Sequence, residues 1–511
     1  MLQSFETAVK GDHGVRVGLR PDQVLFLGMI ALIFGVRVTN LSYNTLFVDE
    51  AIYVTLGRNW MQGAFSHGSL GWMYGSYIYP LIAALLNYGA GEAGLRMLSA
   101  VLSTAAAVIV YRATVRLFDS ESAFWAMLIF GMTAISIDMG QFAVYDAPLV
   151  LLITGSLFFV IRAAEAERGE QGFLLVAAAC AALGVLTKYI GALYLPVIVF
   201  VAAICYLRQN RPLWPILTSF VLPTTALVGA YVWINSGDLA TLLSGEAGVD
   251  PGVRAQIWAD IWAEIGVTSL LAIAGLGLLI WRGLGSARRE PAPRRILWAV
   301  LVVGLAVSIF AAPIYHLALS NIHSAWKHSV YTLIFIAPLA GYLCAQIVGA
   351  VRGIEGSWSL PARLIGMTVT VAIVALSLNY AMGRNNGFQR SWPNVGGAVS
   401  YLREADLKPG QPVLAAGSQV YEYYLDMGAA NRDMWSNTWY LRYQDLQGLD
   451  AMRAAVADHH FAWVILDNYY TPEIDRALEP NLLAAGYRLR YSDRQQTSIG
   501  TEALIRIYQK P

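Results

Sequence analysis

Residues 146–208 read DAPLVLLITGSLFFVIRAAEAERGEQGFLLVAAACAALGVLTKYIGALYLPVIVFVAAICYLR. Three apolar runs follow one another here, at 146–162, 172–187 and 190–207. A bilayer core takes ~20 apolar residues per helix, so each run is close to a full crossing. The connection after the first run carries Arg162 and Arg168, and the one after the third carries Arg208 and Arg211. Between the second and third there is only the turn Thr187-Lys188-Tyr189. Charge thus gathers on alternate connections, which is the pattern of a chain threading a membrane back and forth.

The same reading extends in both directions. Further apolar stretches lie at 23–39, 92–111, 122–138, 213–234, 265–281, 296–315, 329–350 and 362–381, making about eleven transmembrane helices. One set of connections holds Lys10, Arg16 and Arg20; Arg112 and Arg116; Arg162 and Arg168; Arg208 and Arg211; Arg282, Arg288, Arg289, Arg294 and Arg295; Arg352 and Arg363. The other set holds Arg58, Lys188, Arg254 and Lys327. The positive-inside rule puts the first set, and the N-terminus, in the cytoplasm. The chain after the last span then lies on the exoplasmic side.

Composition agrees. Of 511 residues, 57% are hydrophobic and 14% charged, where soluble domains average about 25% charged. A net charge of +1 offers no basic field for nucleic acid. Cys180, Cys205 and Cys344 sit inside apolar runs without paired or metal-ligand spacing, and read as small buried hydrophobes. The first span follows about twenty polar residues with no small-residue cleavage pattern, so it reads as retained.

The first exoplasmic connection, about 40–91, is long. An amphipathic stretch runs from Val48 to Trp60, and a short apolar piece from Tyr77 to Leu86. Both are expected as helices lying in the interface, with Trp60, Trp72, Tyr74, Tyr77 and Tyr79 as aromatic anchors. After Tyr380 the polarity becomes ordinary. Strand-like runs at 412–416 and 461–466, a helical pattern at 395–404 and a turn at Lys408-Pro409-Gly410 predict a small α/β domain. The division expected is a membrane domain over 1–381 and an exoplasmic domain over 382–511.

The polar residues that stand out all fall on the exoplasmic connections. Asp49-Glu50 opens the amphipathic stretch beside the membrane, where charge is costly unless paired or used. Acids there also suit a helix N-terminus. Asp146 begins a span, with Pro148 early in it, and the same two readings apply. Lys188, at its hairpin tip, either snorkels or binds. Residues 316–328 hold His316, His323, Lys327 and His328, at no firm metal spacing. Four separate connections therefore supply Asp49, Asp146, Lys188 and Lys327 to one face. A carboxylate can take a proton from an acceptor, and cations can stabilise charge building on a phosphate leaving group.

These segments resemble the glycosyltransferase C superfamily, on the branch of the protein O-mannosyltransferases and the lipid A aminoarabinose transferase. Asp49-Glu50-Ala51 with Tyr53 is similar to its first-loop acidic motif. Gly94-Leu95-Arg96-Met97-Leu98-Ser99-Ala100, with Tyr111 and Leu117-Phe118-Asp119, resembles its second-span signature. Asp146 matches the acid opening its fourth span, Leu186-Thr187-Lys188 its outer hairpin, and Lys327-His328 with Tyr331 and Pro338 its late-span pattern. The likeness covers most of residues 23–350. One departure is Ile78-Tyr79-Pro80, where many relatives have His-Pro-Pro.

The resemblance implies transfer of a sugar from a polyprenyl-phosphate donor to a lipid, glycan or protein acceptor at the outer face of a bacterial plasma membrane, with inversion. Asp49 would be the general base, with Asp146 and Glu50 beside it. Lys188 and Lys327 would hold the donor phosphate, helped by Arg96 or His328. Tyr53, Tyr79 and Tyr331 would line the substrate site. No metal ligand set is expected, although a divalent cation stays open as a cofactor. Two alternatives remain at this point: a transporter or flippase, which would put ionisable groups near the midplane and often shows inverted repeats, and another polymerase or ligase acting on polyprenyl-linked glycans.

Overall fold

A computed structural model describes residues 21–65, 69–245, 253–285, 292–322, 324–352 and 359–511. The polar N-terminal residues with Lys10, Arg16 and Arg20, together with Arg288, Arg289 and His323, lie outside the described residues.

Every apolar stretch predicted from sequence falls on a helix. By length and apolarity, seven helices among the described residues could cross a membrane, or up to nine if each of two bent pairs is one span. The bent pairs are Ser120–Met132 with Ala134–Gln141, turned by 60°, and Pro293–Ser308 with Ala311–Leu319, turned by 42°. The predicted stretches 23–39 and 362–381 lie in two further helices, Pro21–Val38 and Ser359–Phe388.

Helix ends gather at two poles. Asp146–Glu165 is a 20-residue helix, about 30 Å long at 1.5 Å per residue. At its C-terminal end Glu165 pairs with Arg116 and Arg162, and Arg211 bonds the Ala163 and Ala166 carbonyls and Glu170. The acids and lysines singled out above collect at the opposite end. Inside the bundle, Arg37 of the first helix is fully buried and donates to Ser103, to the Ile33 and Gly131 carbonyls and to Ser136. An apolar environment exacts its full cost from an unsatisfied donor, so this guanidinium persists only because carbonyls from three segments surround it.

The first loop folds as Val48–Met61, the single turn Ser69–Trp72, and the start of a 40-residue run, Ile78–Leu117. The run breaks at Gly91, with φ 60° and ψ −154°, so the predicted short piece and the second span meet there. Gly57 lets Val48–Met61 press onto this run, since a Cβ there would meet the Pro80 carbonyl. Ile82, Leu85 and Tyr88 leave an exposed stripe at i, i+3, i+6. Of the expected anchors, Trp60, Trp72 and Tyr74 are exposed, whereas Tyr77 and Tyr79 are not. Tyr77 is instead buried under Trp60 and Phe65, with its hydroxyl on Ser69. Tyr79 is buried against Tyr53 and Tyr145.

The C-terminal region holds a five-stranded sheet. Its strands are β1 (Val413–Ala415), β2 (Trp435–Asn437), β5 (Trp463–Leu466), β6 (Arg488–Gln496) and β7 (Glu502–Gln509), in the order β2-β1-β5-β7-β6. A hairpin of β3 (Arg442–Tyr443) and β4 (Leu446–Gln447) stands apart. β1 pairs parallel to β2 and β5, and β7 antiparallel to β5 and β6. Every residue of β1 and β5 is buried, which is why both read as continuous apolar runs.

This region is not a separate bead. One apolar core joins Leu46, Val48, Ala51 and Val54 of the first loop to Val399, Leu402, Val420 and Ile507. Long-range hydrogen bonds seal the seam: Leu46 N to Tyr424 Oη at 2.9 Å, Asn87 Nδ2 to Tyr423 Oη at 2.8 Å and Trp392 Nε1 to the Thr45 carbonyl at 2.9 Å.

Candidate active site

Asp49 and Glu50 occupy the first turn of Val48–Met61. Successive helical residues point about 100° apart, so the two carboxylates face different surroundings. Glu50 turns inward. Its oxygens take Arg96 Nε at 3.0 Å and Nη2 at 2.8 Å, the Ala143 amide at 3.0 Å and the Phe47 amide at 3.0 Å. The Phe47 bond is the N-terminal cap of the helix, so the capping reading of this acidic pair falls on Glu50. Arg96 completes its own set on the Leu41 and Asn44 carbonyls and lies over the Tyr43 ring at 4.0 Å. Both side chains are fully buried.

Asp49 turns to the other elements. Its Oδ2 accepts from Lys327 Nζ at 2.6 Å. Lys327 belongs to the helix Ala325–Arg352. Asp146, first residue of its own helix, accepts through Oδ1 from Lys188 Nζ at 2.9 Å and from the Tyr331 hydroxyl. Each lysine lies within electrostatic reach of both carboxylates. The cluster is thus a chain of alternating charge, each ion balanced by neighbours in a site where an isolated one would be strongly destabilising.

Access differs along this chain. Asp146 is 1% exposed and the two lysines 9% each, while Asp49 is 25% exposed. Two acceptor or donor positions are nevertheless free in the buried part. Asp146 Oδ2 and His328 Nε2 are buried with no hydrogen-bond partner among the described residues. His328 Nδ1 meets His316 Nε2 at 2.7 Å, and His316 Nδ1 meets the Asn321 carbonyl at 2.7 Å. A carbonyl can only accept, so His316 Nδ1 carries the proton and the His328 ring is oriented through its Nδ1.

Aromatic rings wall the cluster. Tyr53 packs on Tyr145 at 4.0 Å between centroids, with Tyr79 5.3 Å from Tyr145. Lys188 Nζ lies 5.9 Å from the Tyr331 ring centre and Lys327 Nζ 5.9 Å from that of Phe142. The Lys188 hairpin is strapped to the first loop, with Ser76 N on the Leu186 carbonyl at 2.8 Å and Tyr189 N on the Tyr74 carbonyl at 2.9 Å. Gly75 makes the strap fit, since a Cβ there would meet the Thr187 carbonyl.

Of the residues singled out in the sequence, Asp49, Asp146, Lys188, Lys327, Tyr331, His328, Tyr53 and Tyr79 come together. Glu50 and Arg96 stand beside them as a closed pair. Glu50 still reaches the site indirectly: the Ala143 amide it holds lies three residues before Asp146. Sequence reading gave no role to Tyr145 or His316. Tyr145 could have been noticed beside Asp146, while the His316–His328 contact depends on a helix break that the sequence does not announce. No group of three or more His, Cys, Asp or Glu that could hold a metal occurs among the described residues.

Residues 73–233 match the family model described as dolichyl-phosphate-mannose-protein mannosyltransferase. No curated protein matches the chain by sequence. Among solved structures, ArnT from Cupriavidus metallidurans bound to undecaprenyl phosphate is similar with a TM-score of 0.59 at 13% identity, covering 94% of this chain and 97% of that one. The Archaeoglobus fulgidus oligosaccharyltransferase tethered with an acceptor peptide is similar at 0.53 and 12% identity, covering 94% and 73%. The mycobacterial arabinofuranosyltransferase AftD is similar at 0.51 and 15% identity, covering 96% of this chain and 40% of that one. The chain has the fold of the glycosyltransferase C superfamily of membrane glycosyltransferases, and carries the family model's signature over residues 73–233.

Proposed function

We propose that this chain transfers a sugar from a polyprenyl-phosphate donor to an acceptor hydroxyl at the exoplasmic face of a bacterial plasma membrane, inverting the anomeric centre. Eleven spans would place the N-terminus in the cytoplasm and the domain after the last span outside. The exposed stripe Ile82, Leu85 and Tyr88 suits a helix lying at the membrane surface.

The observation that carries the reading is the alternating chain of Asp49, Lys327, Asp146 and Lys188, with Asp49 its most accessible member. The acceptor oxygen attacks the anomeric carbon as Asp49 takes its proton. The bond from that carbon to the phosphate oxygen breaks, and its electron pair leaves with the polyprenyl phosphate. Lys188 and Lys327 stabilise the charge gained by the phosphate. A phosphate monoester dianion leaves without being protonated, so no second acid is required. Asp146 holds Lys188 by a hydrogen bond, draws Lys327 through its charge, and offers its free Oδ2 to a substrate hydroxyl. His328 Nε2, an acceptor while its Nδ1–H donates to His316, is assigned to a hydroxyl of the donor sugar. Tyr53, Tyr79 and Tyr331 shape the walls. Glu50 and Arg96 serve as a brace that positions Asp49 and the Asp146 loop.

The test is transfer from a labelled polyprenyl-phosphate sugar by the protein in lipid nanodiscs, offered an extract of cell-envelope glycans, lipids and proteins as acceptors. Wild-type protein should consume the donor and release polyprenyl phosphate. Full activity in Asp49→Asn would rule out the proton-transfer role.

A further inference from the structure

Beyond the ion-pair cluster, a cleft of about 210 Å³ opens between the first loop and the C-terminal domain. Asn59 and Trp72 line it from the loop, and Gln419, Glu422, Arg432 and Trp435 from the domain. It is outside the apolar bundle and smaller than the 300–1,000 Å³ typical of drug-sized pockets. Leu56 also lines it. That residue lies seven positions past Asp49 on the same helix face, about 10 Å along the axis. A molecule reaching from the cleft to Asp49 must therefore be extended.

We propose that this cleft holds the non-reacting end of a neutral oligosaccharide, the acceptor whose far hydroxyl meets Asp49. The proposal rests on the transfer reading and adds the acceptor class. Its basis is the chemistry of the walls. Two indoles, from Trp72 and Trp435, give flat apolar faces for the C–H side of a sugar ring. With them stand two planar amides, the Glu422 and Asp433 carboxylates and a guanidinium, which is a set suited to hydroxyl groups that both donate and accept. Asn59 Nδ2 already orients the Glu422 carboxylate at 2.9 Å, and Arg432 is held by the Ala64 carbonyl at 2.9 Å. Arg432 also pairs with Asp433 at 3.4 Å, so cationic charge is balanced and a polyanionic acceptor finds no free counter-charge. An extended peptide adding to the edge strand β2 would find a template of only three residues.

The experiment is saturation-transfer NMR on the full chain in nanodiscs, with neutral gluco-, manno-, galacto- and arabino-tetrasaccharides, the matching monosaccharides, and a neutral decapeptide as probes. At least one tetrasaccharide should bind and its monosaccharide should not. Trp435→Ala should weaken that binding tenfold or more, and Trp435→Phe should restore most of it. Gln419→Ala, which leaves the sheet intact, should weaken it less. Binding by no tetrasaccharide, binding indifferent to Trp435 and Gln419, or binding of the decapeptide in their place would overturn the proposal. Donor consumption by wild-type protein, measured in parallel, separates the two readings. If the donor is consumed but no tetrasaccharide binds, only the cleft assignment falls. If a tetrasaccharide binds but the donor is untouched, the transfer reading falls and takes the acceptor role with it.

Discussion

The Asp49–Lys327 and Glu50–Arg96 pairs begin at neighbouring residues of one helix, and their surroundings divide the work between them. Glu50 takes four donors, from Arg96 twice, Ala143 and Phe47, and is sealed from solvent. Asp49 has one ion-pair partner and a quarter of its side chain in the open. A carboxylate whose lone pairs are all engaged holds backbone in place and has little left for a substrate proton. One with a free oxygen can exchange partners. Two adjacent acids in a sequence can therefore be one reagent and one fastener, and helix geometry decides which is which.

The comparison can be broken by exchanging charge at each acid in turn. Asp49→Asn should cut transfer by about 10²–10⁴-fold, the usual contribution of a general base, while the folded yield stays unchanged. Glu50→Gln should act the other way round. Removing one partner of a buried ion pair leaves the other uncompensated and costs about 3–5 kcal/mol. It should appear as a large loss of thermal stability in detergent, with Arg96→Met added to Glu50→Gln recovering part of the loss. If Glu50→Gln keeps its melting temperature but loses activity, the division of labour is wrong.

A smaller effect is expected from Gly75→Ala. The added methyl must push away the Thr187 carbonyl, an overpacking that costs roughly 1–3 kcal/mol. Because Lys188 is the next residue, the Michaelis constant for the lipid donor should rise more than stability falls. The smallest effect concerns pH. Burial pushes the Glu422 carboxyl up to about 7, against the pull of Asn59. An acid whose pKa rises on folding contributes most below its unfolded value, and that contribution is lost as pH rises from about 4.5 to 7. Melting temperature should decline slightly across that window, and Glu422→Gln should flatten the decline.

How much of this was legible in the sequence varies by region. The helices were, because lipid demands long apolar runs and because basic residues punctuate alternate ends. Strands β1 and β5 were, because central strands buried on both faces are apolar throughout. Strand β6, RLRYSDRQQ, was hidden by its own position: an edge strand lies mostly in solvent and reads as polar loop. Strand β7 did carry a signal, with Ala503, Ile505 and Ile507 buried at a period of two, but its seam with β6 supplies the context. At the site, the residue types and their shared face could be read. The pairing of Asp49 with Lys327 rather than with Lys188, the closure of Glu50 on Arg96, and the inward turn of Tyr77 and Tyr79 could not. Those depend on side-chain direction, which only packing fixes.

The two backbone bonds tying Tyr74 and Ser76 to the Lys188 hairpin turn what look like separate parts into one lever. The backbone that carries the ammonium at the hairpin tip is bonded to a segment that begins beside Trp72, on the wall facing the C-terminal domain. Pressure applied there is felt, through a handful of peptide groups, at the cation nearest Asp146.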